Sequence, residues 1–488
     1  MEMSFLRKPE PLNLEEANRI IELLWKENVF LRSEIIRMSQ GQEELEEKLR
    51  TDSSNSSIPP SQESHKKKKR NVVDFPSVKR KQGAQKGHKG KGRKLVPEEE
   101  VTSICRCHPP AVCECGGSVS VKEGYSRHQQ YELPKVEPII TEFQIYSGKC
   151  ANCGKKHDGQ LPEGTPAGML GPRAMAQIAS LSGDYTLSKR EVVRICEDSF
   201  GLPVSVGTVS NTEKQVSKAL EKPVEEAKEY IKTQDVVNCD ETSHKQGVQK
   251  QWMWTAVTKY VTVLVIFATR GKIAAQQLIG EKFKGILVSD RFSSYNWVEH
   301  LRRQLCWAHL IRDFVKISER KGAGGQTGEK LLSLAKEMFK MWDKVKKGKL
   351  SWEAFQSAMI PIRQSVEKLL EEGVAKGDKK TKGTCAKLLK IKEAMWTFID
   401  TPGVEPTNNA AEQSLRPYVI WRKKCFGTNS ERGNRFIERM MTVRVTCRQQ
   451  GRNVLDFITE SINSNLSGKP SPSLLPSEKI QESLKIAA

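Results

Sequence analysis

"DVVNCD" at 235–240 and "GILVSD" at 285–290 decide the fold, because each is a short β-branched or apolar run that ends in an aspartate. Runs of this kind predict buried β-strands. After the first of them, "WMWTAVT" and "VTVLVIFA" follow at hairpin distance, and "GKIAAQQLIGEKF" then has helical character. The sequence therefore predicts three consecutive strands, a helix and a further strand.

A strand, a helix and a strand form a right-handed crossover, so the strands that end at Asp240 and Asp290 are expected to run parallel. Neighbouring strands lie ~4.8 Å apart, and the two metal ions of a phosphoryl-transfer site lie ~3.5–4 Å apart. The two carboxylates are thus close enough to share a pair of ions. Aspartates also close strands by capping the next turn, so a purely structural interpretation of each remains open.

A third carboxylate, Glu412, lies in "EPTNNAAEQSLRP" (405–417), where a Pro and two Asn precede what reads as a first helical turn. Two interpretations remain open. In the first, Glu412 is the N3 residue of a capping box begun by Asn409 and only stabilises the helix start. In the second, Asn409, Glu412 and Arg416 share one face, where Arg416 holds the carboxylate ionised and Glu412 completes a magnesium site.

The charge of the chain points to a polyanionic partner. Its 488 residues include 80 Lys plus Arg and 59 Asp plus Glu, a formal net charge of +21. Such an excess favours nucleic acid before a membrane surface. The sequence has no signal peptide and no apolar run near the ~20 residues of a membrane helix, so we expect a cytoplasmic, nucleoid-associated protein. In that compartment the twelve Cys are expected to be thiols or metal ligands.

Residues 1–50 predict a coiled coil that pairs two copies of the chain. Apolar or small residues recur at alternating steps of three and four from Leu14 to Leu49, and the polar Asn28 and Gln42 fall at a positions. A helix packed on its own chain is the alternative. Residues 51–100 predict a disordered basic linker. Its lysines and arginine at 66–70 are expected to contact phosphates: Lys66, Lys67, Lys68, Lys69 and Arg70.

Residues 101–165 predict a zinc-binding segment. Cys150 and Cys153 form a C-x-x-C knuckle before a Gly, and Cys113 with Cys115 form a tighter C-x-C before a Gly. Four such ligands suit a structural tetrahedral Zn²⁺. Rival ligands near the first knuckle are Cys105, Cys107 and His108, and buried thiols without metal are the alternative. Residues 166–230 predict helices compatible with a helix-turn-helix, although ordinary packed helix pairs are commoner.

Four phrases in order, "NCDET", "ILVSDRFSSY", "CWAHLIRDF" and "NNAAEQSLRP", resemble the DDE transposases of the insertion sequence 66 family. The amino-terminal heptads, "NSSIPPS", "GAQKGHKG" and the knuckled segment resemble that family too, so the likeness spans nearly the whole chain. Its first knuckle is one residue shorter than the usual C-x-x-C. His309, in "CWAHLIRDF", resembles a feature near the family's site, but helix packing explains it equally well and we leave it outside the catalytic set.

The resemblance implies that Asp240, Asp290 and Glu412 are the catalytic triad of a ribonuclease-H-like domain at 231–445, with a helical insertion at about 320–400. It implies two Mg²⁺, or Mn²⁺ in their place, at a site that cuts DNA and transfers strands. Residues 446–488 would form a terminal helix and tail. Further phosphate contacts are expected near the triad, where the alternative is a merely basic surface: Arg416, Arg422, Lys423 and Lys424.

The fold class predicted is multidomain α/β: a ribonuclease-H-like mixed sheet with helices and a helical insertion, preceded by a coiled coil, a zinc-knuckle segment and a helical DNA-binding domain. The expected partners are the element's terminal inverted repeats, target DNA, a second copy of the chain and accessory proteins of the same element. Two other functions remain open. One is a DNA-binding regulator without catalysis, and the other is a nuclease or resolvase that cuts but does not join.

Overall fold

The computed structural model of the chain describes residues 94–478 except 321, residues 480 and 482, and scattered positions between 13 and 34. The described residues form two units. The smaller comprises 94–139 and 199–201, and the larger comprises the remainder. Most of the predicted basic linker, including the five basic residues at 66–70, lies outside the described residues.

The smaller unit contains little regular secondary structure. Its described part has a 3-10 turn at Glu98–Glu100 and an isolated antiparallel bridge between Val112 and Ser118. Arg127 Nη2 donates to the Val96 carbonyl at 2.7 Å. Because nearly all of its residues are exposed, the burial of apolar surface stabilises this unit little.

The larger unit begins with a small hairpin followed by four helices. Strands β1 (Ser147–Lys149) and β2 (Lys156–Asp158) pair antiparallel. The four helices are α1 (Pro172–Gly183), α2 (Lys189–Phe200), α3 (Val206–Ala219) and α4 (Glu221–Lys232). The Ser205 side chain caps α3 by accepting the Thr208 N–H at 3.1 Å.

A five-stranded mixed sheet forms the centre of the larger unit. Its strands are β3 (Val236–Gln246), β4 (Gln249–Val257), β5 (Thr262–Phe267), β6 (Ile286–Ser289) and β7 (Arg303–Leu305). They lie in the order β5-β4-β3-β6-β7. β3 to β5 form antiparallel pairs, whereas β6 is parallel to both β3 and β7. The three consecutive strands and the parallel pair are therefore confirmed.

Helices connect the sheet to a second apolar core. α5 (Lys272–Ile279) joins β5 to β6, as predicted, and α6 (Trp307–Ser318) follows β7. The stretch expected to be a helical insertion contains three long helices and a short one: α7 (Ala323–Lys346), α8 (Trp352–Lys376), α9 (Lys379–Leu389) and α10 (Thr397–Asp400). Their core includes Trp307 packed against Trp396, with ring centroids 4.9 Å apart and the ring planes tilted by 60°. This core fixes the start of α6.

Three more helices complete the larger unit: α11 (Asn409–Cys425), α12 (Glu431–Gln449) and α13 (Val454–Leu466). α11 packs on β3 and β4, and α12 packs on β5. The expected domain boundary at 445/446 falls inside α12. α3 packs on α1, α12 and α13. The role of α3 as a reader of DNA remains a prediction.

The amino-terminal stretch is helical at every described position from Leu14 to Glu34. Its apolar side chains are largely exposed: Leu14 by 82%, Leu24 by 55% and Leu31 by 53%. The coiled-coil pairing remains a prediction. Among the residues described, no helix combines the length and the apolar character that crossing a membrane requires.

Candidate active site

Asp240 and Asp290 occupy equivalent positions on two parallel strands. The last paired residues of β3 and β6 are Asn238 and Val288, so each aspartate lies two residues further along its strand. The prediction that Asp240 ends its strand is wrong. β3 continues to Gln246, and Asp240 pairs with Thr255 of β4. The longer strand keeps its antiparallel partner after the parallel one has ended.

The two aspartates lie in negatively charged surroundings. Asp240 Oδ1 accepts the Glu241 N–H at 2.9 Å, and Asp290 Oδ1 accepts the Phe292 N–H at 2.8 Å. Burial raises the pKa of Asp240 well above its usual range, and the charges of Glu241, Asp290 and Glu412 add to this rise. In the described chain, no lysine or arginine pairs with either carboxylate. A bound cation would offset the negative charges of Asp290 and Glu412 that act on Asp240.

Glu412 projects from the first turn of α11, but the capping box is not the reason. Asn408 is the N-cap and Asn409 the first helical residue, so Glu412 follows the N3 position by one residue. No side chain caps this terminus. Glu412 Oε1 instead lies 3.7 Å from Nδ1 of His309 on α6. The expected partner, Arg416, is exposed and forms no ion pair with Glu412 within the described chain.

Asn408 fixes the start of α11 against β3. Its Nδ2 donates to the Cys239 carbonyl at 2.7 Å, and its Oδ1 accepts from Asn238 Nδ2 at 3.1 Å. Its main-chain N–H points to Cys306 Sγ at 3.2 Å. One buried amide therefore connects the strand of Asp240, the helix of Glu412 and the start of α6.

Cys306 and His309 border Glu412. Cys306 is the N-cap of α6, and His309 lies in its first turn. The ligand atoms of Cys306, His309 and Glu412 all lie within 4.8 Å of one another. Burial raises the pKa of the Cys306 thiol. His309, left outside the catalytic set by the sequence, is thus beside Glu412, and its C-x-x-H spacing with Cys306 was the signal available.

A buried layer behind the aspartates was missed by sequence reasoning. Glu241 is inaccessible, pairs with Arg270 at 2.7 Å and accepts from the Tyr295 hydroxyl at 2.7 Å. Burial and the charge of Asp290 raise the pKa of Glu241 despite Arg270. Arg303, also buried, donates to the main-chain carbonyl of Asp290 at 3.2 Å. The strand alternation of Asp240 and Glu241 was the only signal for this layer.

The residues predicted to contact phosphate near the carboxylates differ in their exposure. Arg422 is half-buried, and its Nη1 donates to Thr242 Oγ1 at 2.9 Å and to Ser243 Oγ at 2.7 Å, which joins α11 to β3. Its contact with phosphate remains a prediction. Lys423 is exposed, as is Lys424, which lies 3.9 Å from Glu191. These lysines and the exposed Arg416 remain predicted phosphate contacts. The five at 66–70 are outside the described residues.

Each predicted zinc knuckle has its own tight turn. Between β1 and β2, the main-chain carbonyl of Cys150 accepts the Gly154 N–H at 2.9 Å. The main-chain carbonyl of Cys113 accepts the Gly116 N–H at 2.8 Å. Main-chain N–H groups of Cys153 and Asn152 lower the pKa of Cys150, and that of Gly117 lowers the pKa of Cys115. The first knuckle belongs to the smaller unit and the second to the larger. The shared zinc site remains a prediction.

The mixed sheet and its carboxylate cluster define a mixed α/β protein with an acidic centre. A family model described as "Transposase IS66 family" matches residues 167–435, more than half of the chain. The chain therefore belongs to the IS66 family of transposases, which confirms the resemblance and a DNA-processing role. A family of unknown function matches residues 6–94.

Two proteins of Sinorhizobium fredii (strain NBRC 101917 / NGR234) are similar along most of their length. Uncharacterized protein y4qI is 24% identical, with 74% of this chain and 72% of the relative covered. Uncharacterized protein y4hP is 22% identical, with 73% and 71% covered. The similarity thus extends beyond the matched family region in this chain.

Proposed function

We propose that the chain binds the ends of its insertion sequence and catalyses metal-dependent DNA cleavage and strand transfer, with Asp240, Asp290 and Glu412 as the catalytic carboxylates. The observation that supports this proposal is that the charges of Asp290 and Glu412 both act on Asp240, although the three lie in distant stretches of the sequence. Each aspartate lies two residues beyond the last pair of two parallel strands, and Asn408 joins the helix of Glu412 to the strand of Asp240.

The sheet supports a ribonuclease-H-like catalytic domain. Numbered from β3, its strand order is 3-2-1-4-5, with the second strand antiparallel to the rest. Asp240 lies on the central strand and Asp290 just after its parallel neighbour. Helix α11 then supplies the third carboxylate after the helical insertion. This topology brings residues separated by more than 100 positions to one end of the sheet.

The donor set fits hard divalent cations. Carboxylate oxygens are the ligands that Mg²⁺ and Mn²⁺ prefer. The raised pKa of Asp240 reflects its burial first and then the surrounding negative charge, which a cation would neutralise. When bound, a pair of such ions lowers the pKa of an attacking water and stabilises the departing 3′ oxygen. The three carboxylates would hold the ions, Asn408 and Arg303 would position the carboxylates, and no side-chain nucleophile would be needed. The freed 3′-OH then replaces water as the nucleophile toward target DNA.

The remaining segments would serve binding and assembly. We assign pairing of two copies to the amino-terminal heptads, since cutting and joining two ends needs at least two active sites. The basic linker would contact phosphates without reading sequence. The zinc knuckles and the helices from α1 to α4 would find the terminal repeats.

The test uses purified protein, Mg²⁺ and DNA that carries the element's end. Asp240→Asn, Asp290→Asn and Glu412→Gln should each reduce cleavage and joining by at least about a hundredfold, because each removes a charge from the metal site while DNA binding persists. Matched controls are Asp235→Asn and Glu405→Gln, which change exposed carboxylates on nearby segments.

Each competing function predicts a different result. Cleavage without joining by the wild-type protein would identify a nuclease, and DNA binding without cleavage would identify a regulator. If Glu412→Gln cuts as fast as Glu405→Gln, Glu412 is not the third catalytic carboxylate.

A further inference from the structure

Three metal-binding atoms of different chemistry meet beside the proposed magnesium site. Cys306 Sγ, His309 Nδ1 and Glu412 Oε1 lie within 4.8 Å of one another, and the last two are 3.7 Å apart. Zn–S and Zn–N bonds of about 2.3 and 2.0 Å place the ligands of one tetrahedral ion about 3.5 Å apart. The three atoms would therefore need to move only slightly closer together to bind a single ion.

These three atoms still have lone pairs that could bind a cation. Glu412 Oε1 and His309 Nδ1 are enclosed atoms without a hydrogen-bond partner. Cys306 Sγ accepts the Asn408 N–H at 3.2 Å, which leaves lone pairs on the sulfur. Enclosed polar atoms without partners cost free energy, and a cation would compensate all three at once.

We propose that Cys306, His309 and Glu412 form a second cation site that takes a borderline divalent ion such as Zn²⁺, with solvent as the remaining ligand. Sulfur and imidazole ligands select zinc over magnesium, whereas the aspartates offer only oxygen. The regulatory part of the inference rests on the proposed function. Because Glu412 belongs to both sets, an ion held by Cys306 and His309 withdraws it from the aspartates and inhibits DNA cleavage.

Access and competition shape the affinity of this site. The side chains of His309 and Glu412 are 32% and 35% exposed, whereas Cys306 is enclosed, so the ion enters from the histidine side. Arg312 Nη1 lies 3.3 Å from His309 Nε2 and donates to it. An ion on Nδ1 shifts the ring proton to Nε2, which makes Arg312 a competing donor. Arg312→Ala should therefore bind the ion more tightly.

The binding experiment titrates Co²⁺, a visible probe for zinc sites, into the full chain and records thiolate-to-cobalt absorption. Cys306→Ser keeps an acceptor for the Asn408 N–H but removes the thiolate. Cys447→Ser is the matched control, because Cys447 is equally buried and lies on α12. The predicted zinc knuckles also bind cobalt, so the readout is the difference between variants.

We expect the wild type and Cys447→Ser to bind one more equivalent of Co²⁺ than Cys306→Ser, with at least tenfold weaker binding at this site in His309→Gln. Equal cobalt binding by the wild type, Cys306→Ser and His309→Gln would overturn the site. Thermal unfolding of each variant identifies any that fail to fold. If Cys306→Ser is unfolded, the comparison of the wild type with His309→Gln tests the site instead.

The inhibition experiment adds Zn²⁺ to the magnesium-supported cleavage reaction. Zinc should reduce the rate of the wild type more than that of Cys306→Ser, each relative to its own zinc-free rate. Equal inhibition would overturn the regulatory part. The two proposals fail separately: cobalt binding without any cleavage contradicts the proposed function alone, whereas cleavage without the extra cobalt contradicts this site alone.

Discussion

Asn408 shows how one uncharged side chain organises an acidic centre. It is 1% exposed, yet each of its amide atoms has a partner on β3. An ion pair in its place would bring a charge close to Asp240 and Glu412 and disturb their affinity for metal. The neutral amide fixes distance without altering charge, as expected where carboxylates must stay free for cations.

Replacing Asn408 by Ala should lower the free energy of unfolding by about 1–3 kcal/mol, because the Cys239 carbonyl and the Asn238 amide lose their partner. Magnesium-supported cleavage should fall as well, since the start of α11 is released. Urea denaturation and the cleavage assay provide the measurements. Asn409→Ala is the matched control, because Asn409 is the next residue and is exposed. Equal stability of the two variants would contradict the anchoring role.

Glu438 on α12 makes stability depend on pH. It is 2% exposed, and burial raises its pKa from 4.5 to about 7, despite the ion pair with Arg435 at 2.7 Å. The charge of Lys228 opposes this rise and that of Glu431 adds to it. The folded chain therefore holds a proton on Glu438 in a pH range where the unfolded chain has lost it.

Between pH 4.5 and about 7 the folded state binds more protons at this position, so the free energy of unfolding should fall as pH rises through that window. The full effect is about 3 kcal/mol. Glu438→Gln should remove this fall, whereas Glu431→Gln, an exposed neighbour on the same helix, should retain it. Thermal unfolding of the three chains at pH 5, 6, 7 and 8 measures the difference. If the stability of the wild type and that of Glu438→Gln depend on pH in the same way, Glu438 does not cause the pH dependence.

At the level of elements, α12 protects the open edge of the sheet. The N–H groups of Thr262, Leu264 and Ile266 on the edge strand β5 are accepted by side chains of α12. The acceptors are spaced four residues apart: Thr446, Thr442 and Glu438. Four residues along a helix rise ~6 Å, and two residues along a strand rise ~6.8 Å. Because these two spacings are nearly equal, every fourth side chain of α12 can reach every second N–H of β5 over three contacts. An unpaired edge would otherwise invite another strand.

Thr442→Val keeps the shape of the side chain but removes the acceptor of the Leu264 N–H, at 2.9 Å. We expect the free energy of unfolding to fall by about 1–3 kcal/mol, because the buried N–H is left unpaired. Thr384→Val is the control, since that hydroxyl donates only to the Lys380 carbonyl within its own helix. Urea denaturation of both variants measures the difference. Indistinguishable midpoints would show that the edge does not depend on this contact.

The sequence predicted those elements whose apolar pattern is local. The strands around Asp240 and Asp290, the helix between them and the parallel pairing all follow from short apolar runs. β7 was missed, because three residues are too short to show a period. The end of β3 was missed because the apolar run stops at Cys239, whereas the strand continues through polar residues that pair with β4. The role of Asn408 was missed because its partners on β3 lie 170 and 169 positions away in the sequence. The bonds of Arg422 to β3 were missed because they depend on the packing of α11.

At the scale of the whole molecule, the net charge of +21 overstates the charge available to DNA. Several arginines of α12 are engaged internally: Arg439 bonds to Ser217 at 2.9 Å, and Arg448 pairs with Asp184 at 3.0 Å. These contacts attach α3 and the end of α1 to α12, which packs on β5 of the sheet. The most densely basic segment of the sequence is residues 66–94, with thirteen Lys or Arg and one Asp, and it is the segment that we expect to bind phosphates.

Replacing the five basic residues at 66–70 by Gln should weaken DNA binding uniformly across sequences and flatten its dependence on salt. Each lost phosphate contact lowers the steepness of log affinity against log salt by about 0.9, so a decrease of up to about 4.5 is expected for five contacts. Binding to two unrelated duplexes over a range of salt concentrations measures it. Arg439→Gln is the control, because that guanidinium is already engaged by Glu221 and Ser217. If replacing all five residues leaves the slope unchanged, the phosphate contacts lie elsewhere on the chain. If the loss of affinity depends on the DNA sequence, this segment reads bases.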